Sequence, residues 1–144
     1  NAETIVVEYS DIDCPACRQF HPNIKQVVDT SNGTVAWVYR HFPLSMHPFA
    51  YPKAIAVECI KTLAGNDSAF TSIGLFMAQS EASNSKSIDS DIAEVAKQSG
   101  ITDTAKFESC LATTTIADKV TTDTDSGNTA GITGTPGLVI VQKI

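Results

Sequence analysis

A continuous β-branched run, Thr4-Ile5-Val6-Val7, leads through a polar stretch from Ser10 to Asp13 into Cys14-Pro15-Ala16-Cys17. That junction constrains the chain more than any other segment. A strand that is apolar at successive positions reads as covered on both faces, which fits a central parallel strand. Cys14 then stands where a helix N-cap belongs, because Pro15 suits the first helical position, where its missing N–H costs nothing. Ala16, Phe20, Ile24, Val27 and Val28 recur at helical spacing as far as Ser31-Asn32-Gly33, which predicts an amphipathic helix of about four turns. Val35 to Phe42, rich in β-branched and aromatic residues and closed by Pro43, supplies a second strand. Strand, helix and strand in close succession make a βαβ unit with a right-handed crossover.

From Ala50 to Ser99 the pattern turns helical. Ala50, Ala54, Val57 and Ala64 mark one helix; Phe70, Ile73, Phe76 and Met77 mark a second; Ile88, Ile92, Val95 and Ala96 mark a third. Gly65-Asn66 and Ser83-Asn84-Ser85 separate them. A short helix follows over Phe107 to Leu111, then a Thr-rich helix over Thr113 to Gly127 anchored by Ile116 and Val120, and Leu138 to Val141 returns to strand. No repeat or linker divides the 144 residues, a length that suits one compact domain.

Composition excludes several classes of function. With 42% hydrophobic and 18% charged residues the chain is globular rather than disordered. Its net charge of −6 argues against a surface that tracks phosphates, so nucleic acid is not expected as a partner. No apolar run approaches the roughly eighteen residues of a membrane helix. No signal peptide is visible, and Asn1-Ala2 reads as a processed or engineered end with no part in the fold.

Two cysteines spaced by two residues at the start of a helix are placed for thiol–disulfide exchange. Cys14, at the positive end of the helix macrodipole, is the expected nucleophile, because free backbone N–H groups favour its thiolate. Cys17, one turn inward, is placed to resolve a mixed disulfide. The same spacing also serves half a zinc site, but His21 one turn on is not joined by a fourth ligand, so no metal is expected. A purely structural Cys14–Cys17 disulfide is the remaining alternative.

The segment Val-Val-Glu-Tyr-Ser-Asp-Ile-Asp-Cys-Pro-Ala-Cys, residues 6–17, resembles the opening of the DsbA-like thiol–disulfide oxidoreductases. Arg40-His41-Phe42-Pro43-Leu44, His47-Pro48, Phe107 to Leu111 and Gly131-Ile132-Thr133-Gly134-Thr135-Pro136 resemble the same family in the same order. The resemblance implies an α/β, thioredoxin-like fold with a helical insertion between the second strand and a cis-proline loop. Residues 3–46 and 128–144 would form the core and 47–127 the inserted subdomain, in one compact unit. It further implies that Pro136 is the cis-proline facing Cys14 and Cys17, and that Thr135 offers its backbone to an extended substrate strand. Glu8, six positions before Cys14, would be a buried acid able to accept a proton from Cys17; a merely hydrogen-bonded strand residue is the alternative. A further strand and helix are implied beyond Val141, so the chain ending at Ile144 is expected to lack them.

Two departures bear on redox character. Ala16 carries no ionisable group, where strongly oxidising relatives have histidine, and Asp11 and Asp13 are carboxylates expected to raise the pKa of Cys14. The thiol should therefore titrate below about 8.5 and above the extreme of about 3.5. Cys59 and Cys110 fall in the helical insertion, as two buried thiols or as a disulfide. An oxidising compartment favours pairing, and closing the 51 positions between them would add about 4 kcal/mol. Trp37, Tyr39, Phe49 and Tyr51 are expected mainly in the core, and His21, His41 and His47 in structural or surface roles. Asn32-Gly33-Thr34 and Asn66-Asp67-Ser68 fit the glycosylation pattern.

These features together predict disulfide exchange with reduced or misoxidised proteins by a monomeric DsbA-like oxidase. No metal or organic cofactor is expected, and a redox partner would reset the cysteine pair. The expected location is the periplasm or another compartment outside the cytosol. Isomerase and reductase remain enzymatic alternatives, although isomerases of this superfamily generally add a dimerisation domain that this chain lacks. A non-catalytic peptide-binding module is the alternative of another class.

Overall fold

The computed structural model describes residues 1–82 and 87–144. Its elements are β1 (Thr4–Ser10), α1 (Pro15–Thr30), β2 (Val35–His41), α2 (Ala50–Ala64), α3 (Asn66–Ala82), α4 (Ile88–Gln98), α5 (Thr104–Leu111), α6 (Thr114–Thr129) and β3 (Gly137–Gln142). The expected break at Ser83-Asn84-Ser85 lies outside the described residues.

The sheet runs β2-β1-β3. β1 is central, as its apolar run predicts, and the α1 crossover makes it parallel to β2, with Glu8 opposite Tyr39 and Ser10 opposite His41. On its other side β1 is antiparallel to β3, with Glu8 opposite Leu138, so it is a parallel strand on one edge only. Periodicity within a strand carries no information about a neighbour that arrives more than a hundred residues later.

α1 starts at Pro15 with Cys14 in extended backbone as its N-cap. Its buried positions are Cys17 and Ile24, while Ala16 and Val27 are exposed. Cys17, not Ala16, sets the inward stripe, which continues through His21, Ile24 and Val28 at helical spacing. α2 is buried from Lys53 through Ile60 on every side, packed against α3, α5 and α6. Its Ala-rich sequence suits that position, since small side chains allow close approach of several helices. Phe49 and Tyr51, expected in the core, are exposed because they stand at the start of α2 before its buried run begins. Trp37 and Tyr39 are half-buried, with the Trp37 ring against Phe70 and His21.

α6 joins the two layers. Ile116 and Val120 sink into the helical core, and Gly127 lies against the rings of Tyr9 and Phe42 on the sheet. The core runs continuously from Ile12, Cys14 and Cys17 through Ile60, Phe76, Val95 and Phe107 to Val120. The cysteine pair thus sits where the first strand meets the helical layer.

Candidate active site

The loop between β1 and α1 is held on both sides. Cys14 N–H donates to the Asp11 carbonyl at 3.1 Å. The buried Asp11 carboxylate accepts from Asp13 N–H at 2.8 Å, Leu44 N–H at 2.7 Å and His47 Nδ1 at 3.0 Å. Asp13 in turn takes Lys53 Nζ of α2 at 2.6 Å. One short loop is therefore fixed to the segment after β2 and to the helical layer, which sets the position of Cys14.

Both cysteines of the pair are free thiols. The Thr135–Pro136 peptide is cis, and Cys14 Sγ donates to the Thr135 carbonyl at 3.7 Å. Burial pushes the Cys14 thiol up, but hydrogen bonds from the Thr135 side chain, from Cys17 and from the Ala16 backbone outweigh it, and its pKa falls below the ordinary value. Thr135 Oγ1 is buried and makes no regular hydrogen bond in the dithiol state, so it is available to a thiolate. Asp11 and Asp13, expected to act against the thiolate, are both engaged by other groups. Their carboxylates are turned to Leu44, His47 and Lys53, and the main influences on Cys14 come from burial, Thr135, Cys17 and Ala16.

Cys17 is fully buried and accepts from Asp11 N–H at 3.5 Å. Burial, with a smaller contribution from the neighbouring Cys14, pushes its pKa up to about 11 despite hydrogen bonds from Ser10, Thr135 and Asp11. The two sulfurs are thus differentiated: one near the surface and biased to thiolate, one enclosed and biased to thiol.

Glu8 lies beneath them on β1, fully buried, with Trp37 Nε1 donating to Oε2 at 2.8 Å. Burial pushes its pKa up to about 7, against hydrogen bonds from Ser10 and Trp37 that favour the carboxylate. The structure therefore brings Glu8, Cys14, Cys17 and the Thr135–Pro136 loop into one region. Cys59 and Cys110 lie elsewhere, joined by a disulfide that ties α2 to α5.

Ser10, Trp37 and Lys53 take part in this region although sequence reasoning gave them no role there. One signal was readable, since Glu8 and Ser10 stand two apart on a strand and must share a face. Trp37 and Lys53 depend on strand register and on helix docking. Among the described residues, His41, Glu58 and Asp123 place possible metal-ligand atoms within 4.8 Å of one another. Those groups already bond to each other and to Arg40: His41 Nε2 to Glu58 at 3.2 Å, and Arg40 and His41 N–H to Asp123 at 3.2 and 3.0 Å. His21 does not join the cysteines; its ring packs on Trp37 with centroids 5.1 Å apart.

The family model for thioredoxin matches residues 1–144. DsbA2 of Pseudomonas aeruginosa is 34% identical and superposes with a TM-score of 0.79, over 98% of this chain and 75% of that one. The chain therefore belongs to the thioredoxin family, and within it to the DsbA-like group. Oxidised BdbD from Bacillus subtilis shares the fold at 21% identity and TM-score 0.83, over 99% of this chain and 78% of that one. So does α-DsbA1 of Wolbachia pipientis, at 21% identity and TM-score 0.80, over 100% and 72% of the two chains.

Curated sequence relatives carry a different name: the Na(+)/H(+) antiporters NhaA 1 of Salinispora arenicola and NhaA 3 of Salinispora tropica. Each is 29% identical over 141 residues, or 96% of this chain. The chain spans 20% of their length, so most of each antiporter has no counterpart here. Among the described residues no helix is long and apolar enough to cross a membrane.

Proposed function

We propose that this chain exchanges disulfides with other proteins as a DsbA-like oxidase, using Cys14 and Cys17 as its redox pair. The observation that carries the reading is the placement of Cys14 as N-cap of α1, thiolate-biased and against the Thr135 carbonyl, with Cys17 enclosed one turn inward. A substrate thiolate attacks Cys14 Sγ of the oxidised pair, the Cys14–Cys17 bond breaks, and Cys17 leaves with the electron pair and takes up a proton. A second substrate thiolate then attacks the substrate sulfur of the mixed disulfide and expels Cys14. The substrate has lost two electrons and the protein is left as the dithiol. Low pKa makes Cys14 a good leaving group and stabilises the reduced protein, which favours oxidation of substrates. Electrons pass only between sulfur atoms, so the reading requires no metal or organic cofactor.

Thr135 and Pro136 would present backbone to an extended substrate segment, in the manner of strand addition. A redox partner must reoxidise the dithiol. The Cys59–Cys110 disulfide favours an oxidising compartment outside the cytosol, such as the periplasm.

The test is oxidative refolding of a reduced, unfolded disulfide protein by the oxidised chain. Cys14→Ser and Cys17→Ser should both abolish it, since neither can form the redox disulfide, and Cys17→Ser offered a disulfide-bonded substrate should accumulate a mixed disulfide through attack of its Cys14 thiolate. Equilibration with glutathione fixes direction: a potential near about −120 mV supports oxidase, and one near about −270 mV would reassign the protein as a reductase. Peptide binding without any exchange would leave only the binding-module reading.

A further inference from the structure

The buried face of β1 carries more than its acid. Glu8 and Ser10 project to the same side of the sheet, and the parallel register sets Tyr39 beside Glu8 and His41 beside Ser10. Glu8 is 0% and Ser10 1% exposed. Glu8 Oε2 is satisfied by Trp37, yet Glu8 Oε1, Ser10 Oγ and the Tyr39 hydroxyl are all buried with no partner in regular hydrogen-bond geometry. Roughly nine in ten buried polar atoms in proteins are paired, so three such atoms on one face call for an explanation.

Ser10 is where the surrounding groups meet. Its hydroxyl favours the ionised forms of Glu8, Cys17 and Tyr39 alike. The regular hydrogen bonds to Glu8 and Cys17 come from Trp37 Nε1 and Asp11 N–H, while Ser10 is the one side chain that bears on both acids. Glu8 and Cys17 thus share one neighbour and do not bond to each other.

We propose that Ser10 Oγ relays the proton between Cys17 and Glu8 during disulfide exchange, an inference that rests on the exchange reading given above. A hydroxyl suits the task because it donates and accepts at once. When Cys17 leaves as a thiolate, Ser10 gives its proton to Sγ and takes one from the protonated Glu8 Oε1. In the opposite direction the Cys17 thiol protonates Ser10 while Ser10 protonates the Glu8 carboxylate. Ser10 ends neutral each time, and only O–H and S–H bonds change.

The other titratable groups around this face are accounted for. Burial holds the Tyr39 phenol well above its usual range, so it stays neutral. His41 on β2 is engaged with Glu58 of α2 at 3.2 Å, and Asp11 with His47 at 3.0 Å. Glu8 is the acid that burial brings near neutrality.

The experiment measures the rate at which glutathione reduces the oxidised protein between about pH 5 and 9, for wild type, Ser10→Thr, Ser10→Val and Ser10→Ala. Thr and Val match in shape and differ in the hydroxyl, so their comparison cancels packing. Ser10→Val should fall roughly a hundredfold below Ser10→Thr, the lower end for a positioned proton transfer. The Glu8-controlled midpoint of the rate profile should rise above its wild-type value, because a group favouring the carboxylate is gone. The Cys14 thiolate midpoint, read by ultraviolet absorbance, should hold. Equal rates and midpoints in Ser10→Thr and Ser10→Val would overturn the relay while leaving exchange intact. If Ser10→Val does not fold, Ser10→Ala against Ser10→Thr decides in the same way. A wild-type protein inert to glutathione overturns the exchange reading, and the relay with it.

Discussion

At Glu8 and Cys17 one physical cause, removal from water, acts on two acids. Burial disfavours the charged form of each, moving the carboxyl to about 7 and the thiol to about 11. The carboxyl consequence is measurable as stability. The folded protein keeps the Glu8 proton up to about 7, whereas an unfolded chain releases it near 4.5, so folding takes up a proton between those values. Stability from this group is complete below the unfolded value and lost as pH rises through the folded one. The loss amounts to roughly 3 kcal/mol by pH 8. Glu8→Gln keeps an oxygen for Trp37 Nε1 and removes the titration. Urea unfolding at several pH values should show wild type weakening between about pH 4.5 and 8 relative to the variant. Parallel curves for the two proteins would mean that Glu8 is ionised without cost in the fold.

At the scale of elements, the contact between α6 and the sheet is set by the absence of a side chain. A Cβ at Gly127 would stand 2.8 Å from ring atoms of both Phe42 and Tyr9. Those rings are buried and meet edge to face, with centroids 6.3 Å apart, so neither has room to withdraw. Gly127→Ala sets about 1 kcal/mol of helix propensity against an overpacking cost of about 1–3 kcal/mol. The clash should win, giving a net loss of about 1 kcal/mol in chemical denaturation; a stabilised variant would show that α6 slides freely on the sheet.

Gly127 also marks how far the sequence was legible. The Thr-rich stretch around Ile116 and Val120 is readable as a helix, because two apolar residues at helical spacing suffice to anchor one. That its far end crosses to the sheet is not, since the signal is a glycine that ordinarily suggests a helix end. The same divide runs through the candidate site. Cys14, Cys17 and Glu8 are legible from spacing and resemblance. The partners of Asp11 and Asp13 are not, because His47 and Lys53 reach them only after the segment beyond β2 and α2 have docked.

For the whole molecule, the question is what holds a thin three-stranded sheet and a large helical layer in one arrangement around the cysteines. The buried core runs between them, and Asp11 ties the loop before Cys14 to the segment after β2. Within the helical layer, the Cys59–Cys110 disulfide fixes α5 to the buried helix α2 across 51 positions. α2 also supplies Lys53 to Asp13, so its placement reaches the loop before Cys14. Closing a loop of that length limits the unfolded chain by about 4 kcal/mol in the entropy treatment. Replacing both residues, Cys59→Ala with Cys110→Ala, should lower the melting temperature by roughly 10 °C for a chain of this size. The Cys14 thiolate midpoint should not move, because neither residue is among its partners. Thermal denaturation and thiolate absorbance on the same sample separate the two effects. An unchanged melting temperature would show that the core alone sets the helical layer, and a moved midpoint would show that α2 transmits its position to Cys14.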